Sequence, residues 1–106
     1  VLWEHRDGYN RLRLDYKDGG NPADDHTGPG KVQVGTTYYL TVERSGGSVT
    51  CKIFSDAERT VLVDTLSITM FVPERTYRYL FGFSGFDADA TYYPTSGYVE
   101  NLLLVE

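Results

Sequence analysis

Two tyrosines and two aspartates stand close together near the end of the chain, in the stretch GFDADATYYPTSG (85–97). Tyr92 and Tyr93 offer flat aromatic faces, and a sugar ring can stack on such a face. Asp87 and Asp89 offer oxygens that can orient hydroxyl groups or coordinate a metal ion. We predict that these four residues form a glycan-binding site on a loop. The alternative is that one tyrosine closes the end of the fold.

A second acidic stretch, NPADDH, supplies Asn21, Asp24 and Asp25. Calcium takes six to eight oxygen ligands from carboxylates and backbone carbonyls on loops. Asp87 and Asp89 are the predicted calcium ligands, and this stretch is a second source of oxygens. Aspartate is also a common loop residue, so two hypotheses stay open: no cofactor, or calcium.

The carboxylates and histidines do not form a catalytic pattern. Hydrolysis of a glycosidic bond needs two carboxyl groups, about 5–5.5 Å apart for retention or roughly 6.5–9.5 Å for inversion. The acids predicted on strands, Glu43, Asp64 and Glu100, occur singly. Neither His5 nor His26 lies beside a nucleophile motif such as G-x-S-x-G. We predict that the chain is not an enzyme.

Composition restricts the partners. The chain of 106 residues has a net charge of −5, so it lacks the basic surface that nucleic acids require. It has no run of about 18 apolar residues, which argues against membrane insertion. Cys51 is the one cysteine and cannot form an internal disulfide. The sequence begins VLWEHRDG, without Met or a signal-like segment, and we predict that residues 1–106 are one domain of a longer chain.

The elements that must position these residues are strands. Nine Tyr, five Phe and many Val and Thr favour strands, and eleven Gly favour turns. The polar stretches 17–31 and 85–97 are predicted loops, and 56–59 is a predicted turn. We predict an all-β fold, an antiparallel two-sheet β-sandwich. Its strands are predicted at about 1–6, 9–17, 31–34, 36–45, 48–55, 60–69, 76–84 and 97–105.

The stretch TTYYLTVERSGGSVTCKIFSD (36–56) predicts a hairpin that turns at Gly46 and Gly47. In that register Tyr39 faces Phe54 on the side away from the core, where the aromatic pair either stabilises the sheet or forms a stacking platform. A one-residue slip would bury Glu43 and Lys52, so the core face is determined. The residues predicted to be buried are Leu40, Val42, Cys51, Ile53, Tyr79, Phe81 and Leu102.

The order of these elements resembles that of the concanavalin A-like lectin/glucanase and laminin G-like sandwiches. The resemblance rests on GTTYYLTVERSGGSVTCKIFSD, LVDTLSIT, YRYLFGFSG and SGYVENLLL, within about residues 30–106. It implies a jelly roll, here shorter than usual, as in a partial domain whose first strands are missing or supplied by another segment. The acidic E-x-D-x-x-E pattern of the family's glucanases does not occur.

The family includes both binding and structural modules, so the resemblance leaves two functions. The first is a non-catalytic carbohydrate-binding or adhesion module of a larger extracellular, cell-surface or viral protein, such as a lectin. The alternative is a structural module of a viral particle, such as a capsid decoration or tail, or of a filament. Its partners would then be neighbouring protein subunits.

Overall fold

The fold is described by a computed structural model that covers residues 1–18, 20–71, 84–87 and 100, with no account of the side chains of residues 18 and 84–87. Within these residues the chain forms two β-sheets and no helix, which confirms the all-β prediction. The strands are β1 (Leu2–Arg6), β2 (Tyr9–Asp18), β3 (Asn21–His26), β4 (Tyr39–Ser45), β5 (Ser48–Phe54), β6 (Leu62–Thr69) and β7 (Ser84–Asp87).

The four-stranded sheet has the order β3-β2-β1-β7. A tight turn joins β1 to β2, and its two residues, Asp7 and Gly8, both have positive φ, 55° and 80°. Two positive φ values in a two-residue hairpin loop match the right-handed twist of the strands. β3 and β2 pair antiparallel, as do β2 and β1, whereas β7 pairs parallel with β1. The sheet is therefore antiparallel except at its last strand.

The three-stranded sheet has the order β4-β5-β6 and is antiparallel throughout. The predicted hairpin is confirmed: Gly46 and Gly47 form the turn, Leu40 pairs with Ile53, and Tyr39 pairs with Phe54. Gly46 has a φ of +57°, a conformation that glycine adopts without the clash a Cβ atom would cause.

Asp56 organises the connection between β5 and β6. Its carboxylate accepts hydrogen bonds from the backbone amide of Thr60 at 3.0 Å and from that of Val61 at 2.7 Å. The Thr60 hydroxyl donates a further bond to it at 2.7 Å. The predicted turn at 56–59 is confirmed, and Arg59 ends it with a φ of 58°. This pattern is an Asx-type turn, in which a side chain replaces a backbone partner.

The two sheets pack face to face through β6, which lies against β2 and β3. The core between them consists of Leu12, Leu14, Tyr16, Val32, Cys51, Ile53, Leu66, Ile68 and Met70. Burial of Cys51 and Ile53 confirms the predicted core face of the hairpin. Leu40 is half-buried and packs against this core. The predicted core residues Tyr79, Phe81 and Leu102 lie outside the described residues.

Val42 was predicted to be buried, and this was wrong: its side chain is 53% exposed. Val42 lies on the same side of the sheet as Cys51, as the register requires. However, β2 and β3 cover β6, two strands away from β4. Alternation therefore predicts the face that a residue occupies, but not how far the opposite sheet extends over it.

The stretch 17–31 was predicted to be a loop, and this too was wrong, because it contains β3. β3 pairs with β2 along its length, with Pro22 opposite Lys17. Within the described part of the sheet β3 is the outermost strand, where a proline removes no ladder hydrogen bond if its nitrogen points away from the neighbour. Pairing with a long neighbour thus outweighs a composition poor in strand-forming residues.

Several strand boundaries also differ from the prediction. Residues 31–34 form bends and a turn rather than a strand, although Val32 is buried in the core. β4 begins at Tyr39 instead of 36, and β6 at Leu62 instead of 60. Two predicted strands lie almost wholly outside the described residues. Of the strand predicted at 97–105, only Glu100 is described. Of the strand predicted at 76–84, only Ser84 is described, and it is the first residue of β7.

Candidate ligand-binding surface

The predicted loop site is described at one residue only. Asp87, predicted to lie on a loop, is the last residue of β7, where it aligns with His5 of β1. This places it at the end of the sheet that carries the Asp7 turn. The other predicted ligand residues, Asp89, Tyr92 and Tyr93, lie outside the described residues. The site formed by these four residues therefore stays a prediction.

The second acidic stretch has structural roles on β3. Asp24 forms an ion pair with Arg13 of β2 at 3.4 Å. Asp25 accepts hydrogen bonds at 2.9 Å from the amides of His26 and Ser67, so that its carboxylate joins β3 to β6 of the other sheet. In the part of the chain that the structure describes, no three His, Cys, Asp or Glu side chains are grouped so that they could hold a metal ion.

The outer face of the three-stranded sheet carries both polar and aromatic side chains. Register aligns its side chains in rows that cross β4, β5 and β6. We call the first the aromatic row; it contains Tyr39, Phe54 and Leu62. The remaining rows, which we call the hydroxyl rows, are Thr41, Lys52 and Thr65; Glu43, Thr50 and Ser67; and Ser45, Ser48 and Thr69.

The aromatic row is only partly covered. Tyr39 and Phe54 are half-buried, and Leu62 is 54% exposed. A shift in register between Ile53 and Phe54 keeps Leu62 in the row while Val63 packs against the core. Such a bulge changes which side of the strand the following residues occupy. Without it, Val63 instead of Leu62 would lie opposite Phe54.

Asp56 borders the aromatic row and keeps its carboxylate ionised. The hydroxyl of Thr60 and the amides of Thr60 and Val61 donate hydrogen bonds to it. The Thr60 hydroxyl is the largest cause of a lowered pKa for Asp56, and the Val61 amide acts in the same direction. Because these bonds hold Val61, they also determine where β6 begins and where Leu62 lies.

The hydroxyl rows are polar but almost neutral. Lys52 and Glu43 form an ion pair, with 3.8 Å between Lys52 Nζ and Glu43 Oε2, and their side chains are 45% and 64% exposed. The other positions in these rows are threonines and serines, whose hydroxyl groups both donate and accept hydrogen bonds. The surface can thus offer many weak hydrogen bonds to a polar ligand without presenting net charge.

Cys51 lies behind this face, in the core, and cannot serve it as a nucleophile. Its side chain is fully buried. Burial raises the pKa of the thiol to about 11, so the reactive thiolate is scarce at neutral pH. The prediction that Cys51 is buried is confirmed.

The outer face of the four-stranded sheet is different, because its central carboxylate is buried. Glu4 of β1 pairs directly with Arg11 of β2, and both side chains are buried. Arg11 Nε donates to Glu4 Oε2 at 2.6 Å. Arg13 Nη1 and Arg6 Nη1 lie 3.4 Å and 3.6 Å from Glu4 Oε1. Both oxygens of this carboxylate are therefore paired with guanidinium groups.

This network extends along β2 and stays close to neutral. Arg13 also lies 3.8 Å from Asp15 and 3.4 Å from Asp24. Arg11 Nη1 donates to the Tyr9 hydroxyl at 3.3 Å. Burial acts to lower the pKa of Arg11, but the hydrogen bonds to Glu4 and Tyr9 outweigh it and raise that pKa. A carboxylate held in this way has a structural role in the sheet.

Sequence reasoning missed this network, although a signal was present. In LWEHR and YNRLRLDYK charged residues recur at every second position, which places them on one side of each strand. Opposite charges that face each other across a hairpin attract. The tight turn at Asp7 and Gly8 would have aligned Glu4 with Arg11.

An open cleft of about 440 Å³ lies at the end of the molecule opposite to Asp87. It separates the turn between β2 and β3 from the end of β6. Its walls are Gly20, Asn21, Pro22, Ala23, Thr69, Met70 and Phe71. None of the described residues that line the cleft carries a charge, so these residues do not supply convergent charged groups to orient a ligand.

The described residues on the outer face of the three-stranded sheet do not assemble an acid–base pair. Among the described residues of its outer face, Glu43 is the single carboxylate, and Lys52 neutralises it. Glycoside hydrolysis needs two carboxyl groups on opposite sides of the bond. What remains is a surface for stacking and hydrogen bonding.

These features define an all-β domain with a two-sheet, sandwich-like architecture. Comparison of the chain with family models, with curated proteins and with solved structures finds no match. Within the described residues no helix is long and apolar enough to cross a membrane.

Proposed function

We propose that this domain is a non-catalytic carbohydrate-binding or adhesion module. The observation that supports it best is the outer face of the three-stranded sheet, where Tyr39, Phe54 and Leu62 adjoin rows of threonine and serine. Sugars expose apolar C–H faces and a rim of hydroxyl groups, so they match a surface with both kinds of group. The described carboxylate of that face is neutralised by Lys52, which agrees with binding without catalysis.

The proposal includes the setting of the domain. The resemblance of the hairpin and of the later strand sequences to concanavalin A-like sandwiches suggests a jelly-roll module displayed on a larger extracellular, cell-surface or viral protein. Binding through Tyr92, Tyr93, Asp87 and Asp89, with calcium as the candidate metal, is part of the same proposal. The aromatic row is a second position for the glycan on the same domain.

A glycan array, probed with and without calcium, tests this function. The proposal expects selective binding to one class of glycan. Replacing both Tyr92 and Tyr93 with alanine should weaken binding by roughly 1–3 kcal/mol if the loop carries the site, the scale of lost apolar contact. Binding that disappears on chelation would assign the metal. A protein that binds no glycan on the array would refute the proposal.

A structural module is the second candidate, and exposed apolar side chains favour it. Phe71 is 69% exposed, and Val34 and Val42 also lie largely open to solvent. Exposed apolar groups of this size mark surfaces that contact other proteins when they are contiguous. The parent particle or filament would then supply neighbouring subunits as partners. Light scattering of the purified domain over a range of concentrations tests whether it associates with itself.

A further inference from the structure

We propose that the aromatic row and the hydroxyl row beside it bind an uncharged, flat polysaccharide chain of β-linked hexoses. This inference rests on the proposed carbohydrate function and adds the position, the ligand class and independence from metal. It is carried by the cross-strand alignment of Tyr39, Phe54 and Leu62 next to Thr41, Lys52 and Thr65.

The spacing of the sheet gives the row its size. Neighbouring strands lie about 4.7–4.9 Å apart, so a row that crosses three strands extends for roughly 10 Å. The next row lies about 6.8 Å further along the strands, since side chains on one face recur at every second residue. A ligand above the row thus has an apolar floor and hydroxyl groups along one side.

The shape of the floor favours a flat ligand. Tyr39 and Phe54 face each other directly, and Leu62 continues the row on β6. The hexoses of a β-1,4-linked chain carry their substituents equatorially, so both faces of each ring expose C–H groups and the chain is extended. An α-linked chain coils and presents its hydroxyl rim to a flat surface instead. Stacking on an aromatic face therefore selects the extended chain.

The charges favour a neutral ligand. Among the described residues of this face Lys52 is the single cation, and Glu43 lies 3.8 Å from it. The whole chain has a net charge of −5, which repels a polyanion at low ionic strength. Among the described residues of this face, sulfated or uronic acid polymers would find no unpaired positive charge, whereas a neutral chain does not need one.

The geometry also makes a metal unnecessary. The described residues contain no group of three acids, histidines or cysteines that could hold a cation. The hydroxyls of Thr41 and Thr65, on either side of Lys52, can meet sugar hydroxyls directly. Binding to this row should therefore persist when divalent cations are removed.

Affinity measurements with defined oligosaccharides test the inference. Calorimetry with cellohexaose should show binding that is unchanged by chelator and by salt, and binding of polygalacturonate or heparin should be absent. Replacing Tyr39 with alanine should weaken cellohexaose binding about 10-fold or more, which corresponds to about 1.4 kcal/mol. The matched control is Phe71→Ala, because Phe71 is an exposed aromatic outside this face and its loss should leave affinity unchanged.

Leu62→Ala keeps the test valid if the tyrosine variant unfolds. Leu62 is exposed, so its truncation should leave the fold intact, as judged by circular dichroism, while weakening binding several-fold. Three results would overturn the inference and leave the proposed function standing: binding only to charged glycans, loss of binding with chelator, or loss in the Tyr92/Tyr93 variant alone. If no glycan binds on the array either, the proposed function fails with it.

Discussion

The two sheets each turn one face away from the common core, and ion pairs behave differently on the two faces. On the four-stranded sheet the Glu4 carboxylate is buried, and the Arg11 side chain donates to it at 2.6 Å. On the three-stranded sheet Glu43 and Lys52 lie 3.8 Å apart and both remain largely exposed. Two acidic residues on equivalent outer faces therefore have different energetic roles.

Burial explains the difference. A charge removed from water must be paired and hydrogen-bonded, and loss of one partner leaves the other uncompensated. An exposed pair is solvated with or without its partner, so it contributes little to stability. The four-stranded sheet thus has an outer face whose charges maintain the fold. On the outer face of the three-stranded sheet, side chains can be substituted without unfolding the protein, as a binding surface requires.

The sharpest test of this contrast compares the two glutamates. Glu4→Gln should reduce the free energy of unfolding by about 3–5 kcal/mol, because the buried Arg11 loses its charged partner at 2.6 Å and keeps only a 3.6 Å contact with the exposed Asp7 carboxylate. Glu43→Gln should change it by less than about 1 kcal/mol. Urea denaturation followed by circular dichroism measures both. Equal effects would show that the two faces do not differ in burial.

A smaller effect on stability is expected at the turn between β4 and β5, which aligns the rows on the outer face of the three-stranded sheet. Gly46→Val should destabilise the protein by about 1 kcal/mol or more, because a β-branched residue resists the φ of +57° found there. Gly20→Ala is a control, since Gly20 has no positive φ and a Cβ atom would meet no neighbour. A stable Gly46→Val protein would contradict the observed turn.

The pH dependence of stability in alkali should report the burial of Cys51, which lies in the core behind the outer face of the three-stranded sheet. The thiol of Cys51 has its pKa raised by burial from 9.0 to about 11. The unfolded thiol ionises first, so the stability that this group contributes is complete below pH 9 and is lost progressively as the pH rises towards 11. Cys51→Ser removes this pH dependence. A native thiol that reacts rapidly with a disulfide reagent near neutral pH would argue against burial.

The smallest effect concerns the border of the aromatic row. The pKa of Asp56 is lowered, chiefly by the hydrogen bond from the Thr60 hydroxyl. Its contribution to stability is therefore present above the unfolded pKa of about 3.9 and is lost as the pH falls through the lower folded value. Hydrogen exchange in acid should show faster exchange at the amides of Thr60 and Val61. Asp56→Ala should show the same change at neutral pH, and unchanged exchange would contradict it.

Sequence patterns predicted the hairpin of β4 and β5 well because several local signals agree there. Gly46 permits the turn, and apolar and polar residues alternate on both sides of it. The faces and every cross-strand pair from Tyr39 and Phe54 to Glu43 and Thr50 followed from that register. The exposure of Val42 did not, because it depends on the position of the other sheet.

β3 could not be predicted from local sequence, since its stabilising contacts are distant. Pro22 and the adjacent aspartates are poor strand formers. The strand exists because β2 offers a long partner and because the Asp25 carboxylate reaches Ser67. The buried Glu4 was missed for a related reason: alternation placed it on an outer face, and its arginine partners on β1 and β2 come close to it only once the hairpin forms.

The bond between Asp25 and the Ser67 amide has a consequence for the behaviour of the protein at high concentration. Ser67 lies on β6, an outer strand of its sheet within the described residues, whose outward amides could serve as a template for a strand of another molecule. The carboxylate occupies one of these amides at 2.9 Å and places a negative charge beside the others. Open edges of this kind initiate amyloid-like stacking, and a charge at the edge opposes it. We therefore expect the Asp25 carboxylate to oppose pairing of β6 with a strand of another molecule.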